Sequence, residues 1–399
     1  MRTIATVLLA LLLFSPTVGA DGGPVIIREI EPVAGPDWLV LDESDIRAAG
    51  ATTLGELLAD VPGIFVNESG TPGGLVTASF RGAAANQLLV MVDGVPINQA
   101  TNGVADLSGL PLAEFERVEI RRGVGGNRYG GGAVGGVVNL VTKVAARADG
   151  LFSLGLGSAG EQRYSLCLGR QLSPEAGFSV RGWLAEHDGW RDNSDSGEMG
   201  FRVAARVSLS SHTIRGGYAR WTKEQGLPGP RPAEGELPEF GSEEATSLFD
   251  NQQEDSQSAV LNYHGRLGGV ILHADLGWRE HELSHFTRYR SFFPTEDKSR
   301  YLTTTYYGSA WGRFAIFEPV ELEVGLGYRS SRLEARLDST VWDADPFDPD
   351  ERGTTTTTEW SPTADELGGW LEARATPGLF TADARLRVDD HGVYGAHVT

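Results

Sequence analysis

Four patterns in the chain combine residue types that could do chemistry. His281-Glu282-Leu283-Ser284-His285 matches H-E-x-x-H, two zinc-binding imidazoles with a glutamate base between them. That chemistry needs a helix, so that both rings lie one turn apart on the same face. Here the match sits on or just beyond a segment of alternating polarity that reads as a strand. Residues four apart on a strand are about 13 Å from each other and cannot share one zinc. Gly130-Gly131-Gly132-Ala133-Val134-Gly135 matches G-x-G-x-x-G, but a dinucleotide fingerprint follows a strand and opens a helix. This run leads instead into the apolar segment Val137 to Thr142, so tight turns and close backbone approach account better for its glycines. Cys167, the only cysteine, can form no intramolecular disulfide; it alternates with Leu166 and Leu168 as a small residue on one strand face rather than as a nucleophile. Asn67-Glu68-Ser69 matches a glycosylation acceptor and carries no other chemistry. The expectation is a protein that is not an enzyme, with no catalytic residue, metal site or cofactor.

The elements beneath these patterns say more. Arg2 precedes the apolar run Val7 to Phe14, and Val18-Gly19-Ala20 is a small-residue cleavage signal. Residues 1–20 therefore read as a secretory signal peptide; the run is too short for a spanning helix, which takes about 20 apolar residues. Residues 21–41 read as a tether, broken by Gly22, Gly23, Pro24, Pro32, Gly35 and Pro36 around the β-prone Val25-Ile26-Ile27-Arg28-Glu29. Asp42 to Ala49 is a candidate short helix. Thr53 and Glu56 form a capping box, and Leu54, Leu57, Leu58 and Val61 fall on one helical face. Pro62-Gly63 stops that helix and Ile64 to Val66 is a short strand. Leu88 to Val92 reads as a buried strand, and Asp93-Gly94 after it as a type I′ hairpin turn, which needs positive φ at both positions. Val118 and Ile120 alternate with Arg117, Glu119 and Arg121, and Val137 to Thr142 closes the unit. Residues 42–147 thus form a small mixed α+β domain, of ordinary domain size.

The order LADVPGI, SFRG, LLVMVDGVPIN, LPLAEFERVEIRRG, YGGGAVGGVVNLVTK within this unit resembles the plug domain of TonB-dependent outer-membrane receptors. Two positions depart from the family's common pattern: Arg122-Gly123-Val124 stands where Arg-Gly-Pro is usual, and Phe115-Glu116-Arg117-Val118-Glu119 where Ile-Glu-Arg-Ile-Glu is usual. The resemblance implies that Val25, Ile26, Ile27, Arg28 and Glu29 hold the TonB box, which adds as a strand to the coupling protein. It implies that the polar loops Asn67 to Leu75 and Asn98 to Asp106 face outward, with Asn67, Ser69, Thr71, Asn98, Gln99 and Asn102 as candidate ligand contacts. It also implies that Arg81, Arg117, Glu119, Arg121 and Arg122 are candidate gating charges facing carboxylates of the enclosing wall.

From Gly150 the composition changes to alternating segments. Val320, Leu322, Val324, Leu326 and Tyr328 alternate with Glu321, Glu323, Gly325, Gly327 and Arg329; segments beginning at Val270 and Phe380 show the same period. This is the signature of transmembrane β-strands, apolar toward lipid and polar toward the lumen. About 11 segments of about ten residues are countable by this rule, starting near residues 151, 161, 177, 198, 212, 256, 269, 299, 319, 366 and 378. Trp183, Trp190, Trp221, Trp278, Trp311 and Trp370 lie near segment ends and read as an aromatic girdle. Short turns at Ser173-Pro174-Glu175 and Leu267-Gly268 would face the periplasm. Long connections at Asp188 to Glu198, Lys223 to Asp255, Pro294 to Ser299 and Asp338 to Asp365 would face outward. The expected fold is a membrane β-barrel, antiparallel, over 148–399, with the α+β plug in its lumen. The family barrel has about 22 strands and an open edge in lipid is costly, so about half is expected here and the chain is read as part of a longer receptor.

The formal net charge of −20 argues against nucleic-acid binding. The acid at Glu234, Glu236, Glu239, Glu243 and Glu244 reads first as solubility, and second as binding of divalent cations around lipopolysaccharide or of a cationic or metal-complexed ligand. The resemblance implies energy-coupled uptake of a scarce ligand such as a ferric siderophore or cobalamin. Its implied partners are the TonB-ExbB-ExbD complex, outer-membrane lipid with lipopolysaccharide, and a small metal-chelate or cobalamin-like ligand, in a monomer of the outer membrane. A passive outer-membrane channel would lack the plug, a signalling receptor would carry a further domain before it, and a soluble β-protein would bury its apolar strand face. A non-transporting truncated gene product is the remaining alternative.

Overall fold

The computed structural model describes residues 38–69, 73–123, 126–144, 149–235, 241–289, 294–342, 353–375, 382–392 and 395–398. The expected signal peptide, the TonB-box candidates Val25 to Glu29, and Thr71 lie outside the described residues.

The inner domain begins with β1 (Trp38–Asp42), so the last residues expected in the tether pair instead with the domain's own sheet. Helix α1 (Glu43–Ala49) is capped by the Asp42 side chain and ends at Gly50, φ 68°. Helix α2 (Leu54–Ala59) starts at the capping box read from the sequence, Thr53 with Glu56, and buries Leu54, Leu57 and Leu58. Fully burying each of these leucines is worth about 1.5–3 kcal/mol. β2 (Ile64–Glu68) and β3 (Val76–Phe80) form a separate hairpin. β4 (Leu88–Val92) is buried throughout and turns through Asp93 (φ 49°) and Gly94 (φ 81°) into β5 (Val95–Pro96), the two positive φ values of the expected turn. β6 (Phe115–Arg122), a one-turn helix α3 (Gly126–Tyr129) and β7 (Gly136–Thr142) complete the domain. The sheet order is β1-β6-β7-β4-β5, parallel only between β4 and β7. Its core joins α1, α2, the β2–β3 hairpin and the sheet through Ile46, Leu58, Phe80, Phe115, Ile120 and Leu140.

The wall is one antiparallel sheet of β8 (Asp149–Leu156), β9 (Gln162–Ser173), β10 (Ala176–His187), β11 (Ser196–Leu209), β12 (His212–Gly226), β13 (Asn251–Leu267), β14 (Val270–Tyr289), β15 (Thr295–Phe317), β16 (Val320–Val341), β17 (Thr354–Trp360), β18 (Thr363–Ala375), β19 (Ala382–His391) and β20 (Gly395–Val398). Neighbours pair in chain order, except that β17 and β18 both pair with β16. One face is apolar and exposed, as at Leu276, Val324, Leu326, Leu386 and Val388, while Asp275, Glu323 and Arg387 on the other are buried toward the inner domain. No described helix is long and apolar enough to cross a membrane; this apolar strand face is the one suited to lipid.

Three expectations need correction. The strands are longer than ten residues, reaching 23 in β15, because they continue past the apolar band, where alternation between apolar and polar residues stops. Residues 196–198, 223–226, 251–255, 295–299, 338–341, 354–360 and 363–365, expected within connections, are therefore strand. The tryptophans do not form one girdle. Trp183 donates to Glu198 at 2.7 Å and Trp370 to Glu323 at 3.0 Å, both on the inner face. Trp221 lies beside His281, and Trp311 is buried. An indole N–H turned inward finds a carboxylate there, which lipid does not offer.

At Gly277 of β14, a Cβ would lie 3.0 Å from Val95 Cβ and closer still to its methyls. The β4–β5 hairpin thus seats against bare backbone. Gly277→Val should unseat it, with a cost of about 1–3 kcal/mol from overpacking. The expected outcome is faster protease cleavage of the inner domain while the wall stays resistant; unchanged cleavage would contradict the seating.

Candidate functional site

The functional side chains lie in the seam where the inner domain meets the wall. Strand alternation puts every second wall residue into this seam, and many of these are basic. On β10, Arg181 donates to the Glu114 carbonyl at 2.5 Å and to Cys167 Sγ at 3.1 Å, which puts Cys167 on the lumen side. On β11, Arg202 meets Glu114 Oε2 at 2.7 Å. On β12, Arg215 meets Glu116 at 2.9 Å and also donates to the Thr142 carbonyl, while Lys223 reaches Asp106 at 3.3 Å and Ser108 Oγ at 2.7 Å. Asn262 on β13 donates to the Asp93 carbonyl at 2.7 Å, and Arg279 on β14 to the Ile97 carbonyl. The wall thus presents donors to carboxylates and carbonyls of the inner domain.

One pair runs the other way and lies deepest. Arg128 of α3 pairs with Glu323 of β16, with side chains 8% and 3% exposed. Its guanidinium stands 4.6 Å from the Trp311 ring centroid, within cation–π range. Glu323 also accepts from Trp370 at 3.0 Å and Arg313 at 2.8 Å, and Arg387 on β19 donates to the Arg128 carbonyl at 2.8 Å. Burial alone would lower the Arg128 pKa; the Tyr129 hydroxyl and the Glu323 carboxylate outweigh it and hold the pKa above its ordinary value. Glycines make the approach possible. A Cβ at Gly130 would sit 2.3 Å from Glu366 Oε1, and one at Gly325 would strike the Trp370 ring. The glycine run leads through a short 3-10 turn into β7, not into a helix. Beside the pair, a cavity of about 110 Å³ is lined by Asp93, Arg117, Glu119, Tyr129 and Asp275 together with apolar groups such as Met91 and Trp311, and is roomy enough for several waters held by those polar side chains.

The gating candidates fall differently from the expectation. Arg117 pairs with Glu116 at 2.6 Å and Glu119 at 2.8 Å, carboxylates of its own domain, and Glu119 also accepts from Asn139 at 2.9 Å. Among the described residues Arg117 reaches the wall through Glu116, which it shares with Arg215. Arg121 is buried near Trp38, and burial lowers its pKa. Arg122 Nε is buried without a hydrogen-bond partner among the described residues. Arg81, at φ 49°, lies over the Phe80 ring. Among the loop candidates, Asn98 uses its amide within the loop, accepting from Val90 N–H and donating to the Leu88 and Gly103 carbonyls. Asn102 accepts from Val104 N–H, the Ser69 N–H donates to the Leu75 carbonyl, and Asn67 lies in β2. Gln99 borders the seam beside His281 and Lys223. His281 and His285 both lie on strand β14, not on a helix. Arg128 and Glu323 were not singled out from the sequence. The only signal was Arg128 alone in a glycine-rich run and Glu323 as one polar residue of an alternating strand.

Residues 38–137 match the family model described as TonB-dependent Receptor Plug Domain. Among curated relatives, the vitamin B12 transporter BtuB of Vibrio cholerae is 34% identical over 145 residues, covering 36% of this chain and 24% of that protein. BtuB of Vibrio vulnificus is 34% identical over 152 residues, covering 38% of this chain and 25% of that protein. The match thus spans about a quarter of these relatives' length. Among solved structures, FpvA of Pseudomonas aeruginosa bound to heterologous pyoverdines aligns with a TM-score of 0.70 at 15% identity, over 94% of this chain and 54% of that one. The ferric citrate transporter FecA, unliganded, aligns with a TM-score of 0.68 at 18% identity, over 91% and 58%. The fold is theirs: a plug within an antiparallel barrel sheet.

Arg128→Ala strips a buried carboxylate of its principal counter-charge, a loss of about 3–5 kcal/mol in plug docking. Because the two groups touch, a double-mutant cycle of Arg128→Ala with Glu323→Ala, read by denaturant-induced exposure of the plug, should show coupling above about 0.5 kcal/mol; simple additivity would contradict the pair.

Proposed function

We propose that this chain, which carries a TonB-dependent receptor plug seated in an outer-membrane strand wall, serves energy-coupled uptake of a scarce ligand, a cobalamin or an iron chelate. The observation that carries this reading is the seam. Charged contacts join the plug to β10, β11, β12, β14, β16 and β19. A ligand cannot pass such a plug unless several buried contacts break together, and thermal motion alone seldom breaks them. A passive channel needs no such plug, so work supplied from outside the wall is the better account. The TonB-ExbB-ExbD complex is the proposed source, acting on Val25 to Glu29 as an added strand. The likeness to the BtuB relatives and to the ferric-chelate receptor folds supports the two ligand classes.

In this reading residues 1–20 direct export, 21–37 tether, 38–147 plug, with β1 counted in the plug sheet, and 148–399 form wall. Ligand meets the loops bearing Asn67, Ser69, Thr71, Gln99 and Asn102. Arg81, Arg117, Glu119, Arg121 and Arg122 tune plug release, with Arg117 and Glu119 acting through the Glu116–Arg215 contact. The receptor works as a monomer among lipid and lipopolysaccharide.

Proline at Ile27 removes the N–H that an added strand must donate. Ile27→Pro should abolish accumulation of radiolabelled cobalamin or iron chelate by cells while leaving surface binding within about twofold, a change under about 0.5 kcal/mol. Accumulation by the variant at the unaltered rate would remove the coupling segment from the account.

A further inference from the structure

The upper wall, beyond the plug, separates its charges by face. Register fixes the faces. On β14, Asp275 and Arg279 face the plug, so Leu283, His285 and Thr287 face the lumen by the same parity. Leu283 lies opposite Glu254 and Tyr301, and Tyr301 opposite Ala335, which pairs with Trp360. One row further out, His285 lies opposite Ser299, followed across the sheet by Leu337 and Thr358. From His281 outward, no lumen-facing position of β13 to β17 among the described residues is Lys or Arg. The basic residues of this region occupy the opposite face. There Arg300 pairs with Glu282 at 2.7 Å, Arg332 with Glu334 at 3.2 Å, and Arg336 with Asp338 at 2.9 Å.

The lumen face is therefore aromatic and aliphatic, with imidazoles, hydroxyls and carboxylates set among them. Tyr301 and Trp360 meet edge to face at 6.4 Å, and Trp360 is 42% exposed. Asp297 Oδ1 on this face, and two buried polar groups that border it, have no hydrogen-bond partner among the described residues. Gln225 is 7% exposed and its Oε1 has no hydrogen-bond partner among the described residues. The ring nitrogens of His281, 4% exposed, likewise have no hydrogen-bond partner among the described residues, though Nε2 lies 3.6 Å from Glu254 Oε2. On β12 beside this face, Lys223 is already held by Asp106 and Ser108.

Resting on the receptor reading above, we propose that the ligand docking on β13 to β17 is uncharged or cationic, bears an extended ring face, and offers N–H donors; a polyanionic chelate is excluded from this side. A carboxylate or catecholate brought here would lose water and meet Glu254 and Asp297 with no guanidinium to receive it. A ring with amide substituents would stack on Tyr301 and Trp360 and donate to Asp297, whose Oδ1 has no hydrogen-bond partner among the described residues.

Outer-membrane vesicles bearing the receptor, and vesicles without it, test this with three metal chelates of different charge: cationic ferrioxamine B, uncharged cyanocobalamin and anionic ferric citrate. Cyanocobalamin, the one probe with a ring face, should bind at least tenfold more tightly than ferric citrate; ferrioxamine B reports the effect of positive charge without the ring. The double variant Ser299→Arg, Thr358→Arg adds two guanidiniums to the face and should narrow that ratio by about tenfold. Ferric citrate binding as tightly as cyanocobalamin overturns the proposal, as does receptor-dependent binding of none of the three, or a ratio indifferent to the added arginines. The receptor reading fails separately. A charge order that holds while accumulation is the same in cells lacking the coupling protein would remove energy-coupled uptake and leave the ligand class standing.

Discussion

A guanidinium taken out of water must find its counter-charge where it is buried, and Arg128 finds it on the wall. Much of the seam follows from that requirement. Glu323 has to lie on the lumen side of β16, which fixes the parity of that strand and puts Val324 and Leu326 on the opposite, exposed face. Trp370 and Arg313 hold the carboxylate, and Gly325 leaves room for the indole. The glycines around Arg128 bring the plug backbone close enough for Arg387 to reach the Arg128 carbonyl. A one-residue slip of β16 would turn Glu323 toward lipid and a leucine or valine toward Arg128.

Buried ion pairs of this kind add little net stability, because desolvation offsets most of the attraction; what they supply is a unique register and a large penalty for leaving only one partner. That suits a plug that must sit in one place and yet come out whole. The seam is also polar and holds a cavity wide enough for water, so that groups which part have solvent at hand. A dry apolar seam of the same area would offer no such exchange.

Local devices were the legible part of the sequence. The Thr53–Glu56 capping box, the Leu54-Leu57-Leu58 face and the Asp93-Gly94 turn each depend on residues a few positions apart, and each formed as read. The alternation in β14 and β16 was legible for the same reason. It ceased to be informative above the apolar band, where the outer face becomes Glu282, Arg300 and Arg336 and neither face reads as lipid-facing; hence strands were cut short and their ends taken for loops. The tryptophans misled because an indole suits both a lipid interface and a lumen carboxylate. The Arg128–Glu323 pair spans 195 residues of sequence, and nothing near either residue announces the other. Arg117, by contrast, looked like a wall contact because its strand is charged, whereas its nearest acids are its own neighbours.

The central claim is that ligand passes only when the plug leaves its seat. The β4–β5 hairpin gives the direct test, since an ideal Cβ at Gly277 lies 3.0 Å from that of Val95, about 0.5 Å short of the range a disulfide spans, a gap that a small shift of the hairpin supplies once the valine methyls are removed. The measurement is ligand accumulation by cells carrying Val95→Cys with Gly277→Cys, in a Cys167→Ser background that leaves no other thiol. The account predicts that the oxidised receptor binds ligand normally but accumulates none, and that reduction restores accumulation. Equal accumulation by the oxidised and reduced forms, with the cross-link verified, would contradict it.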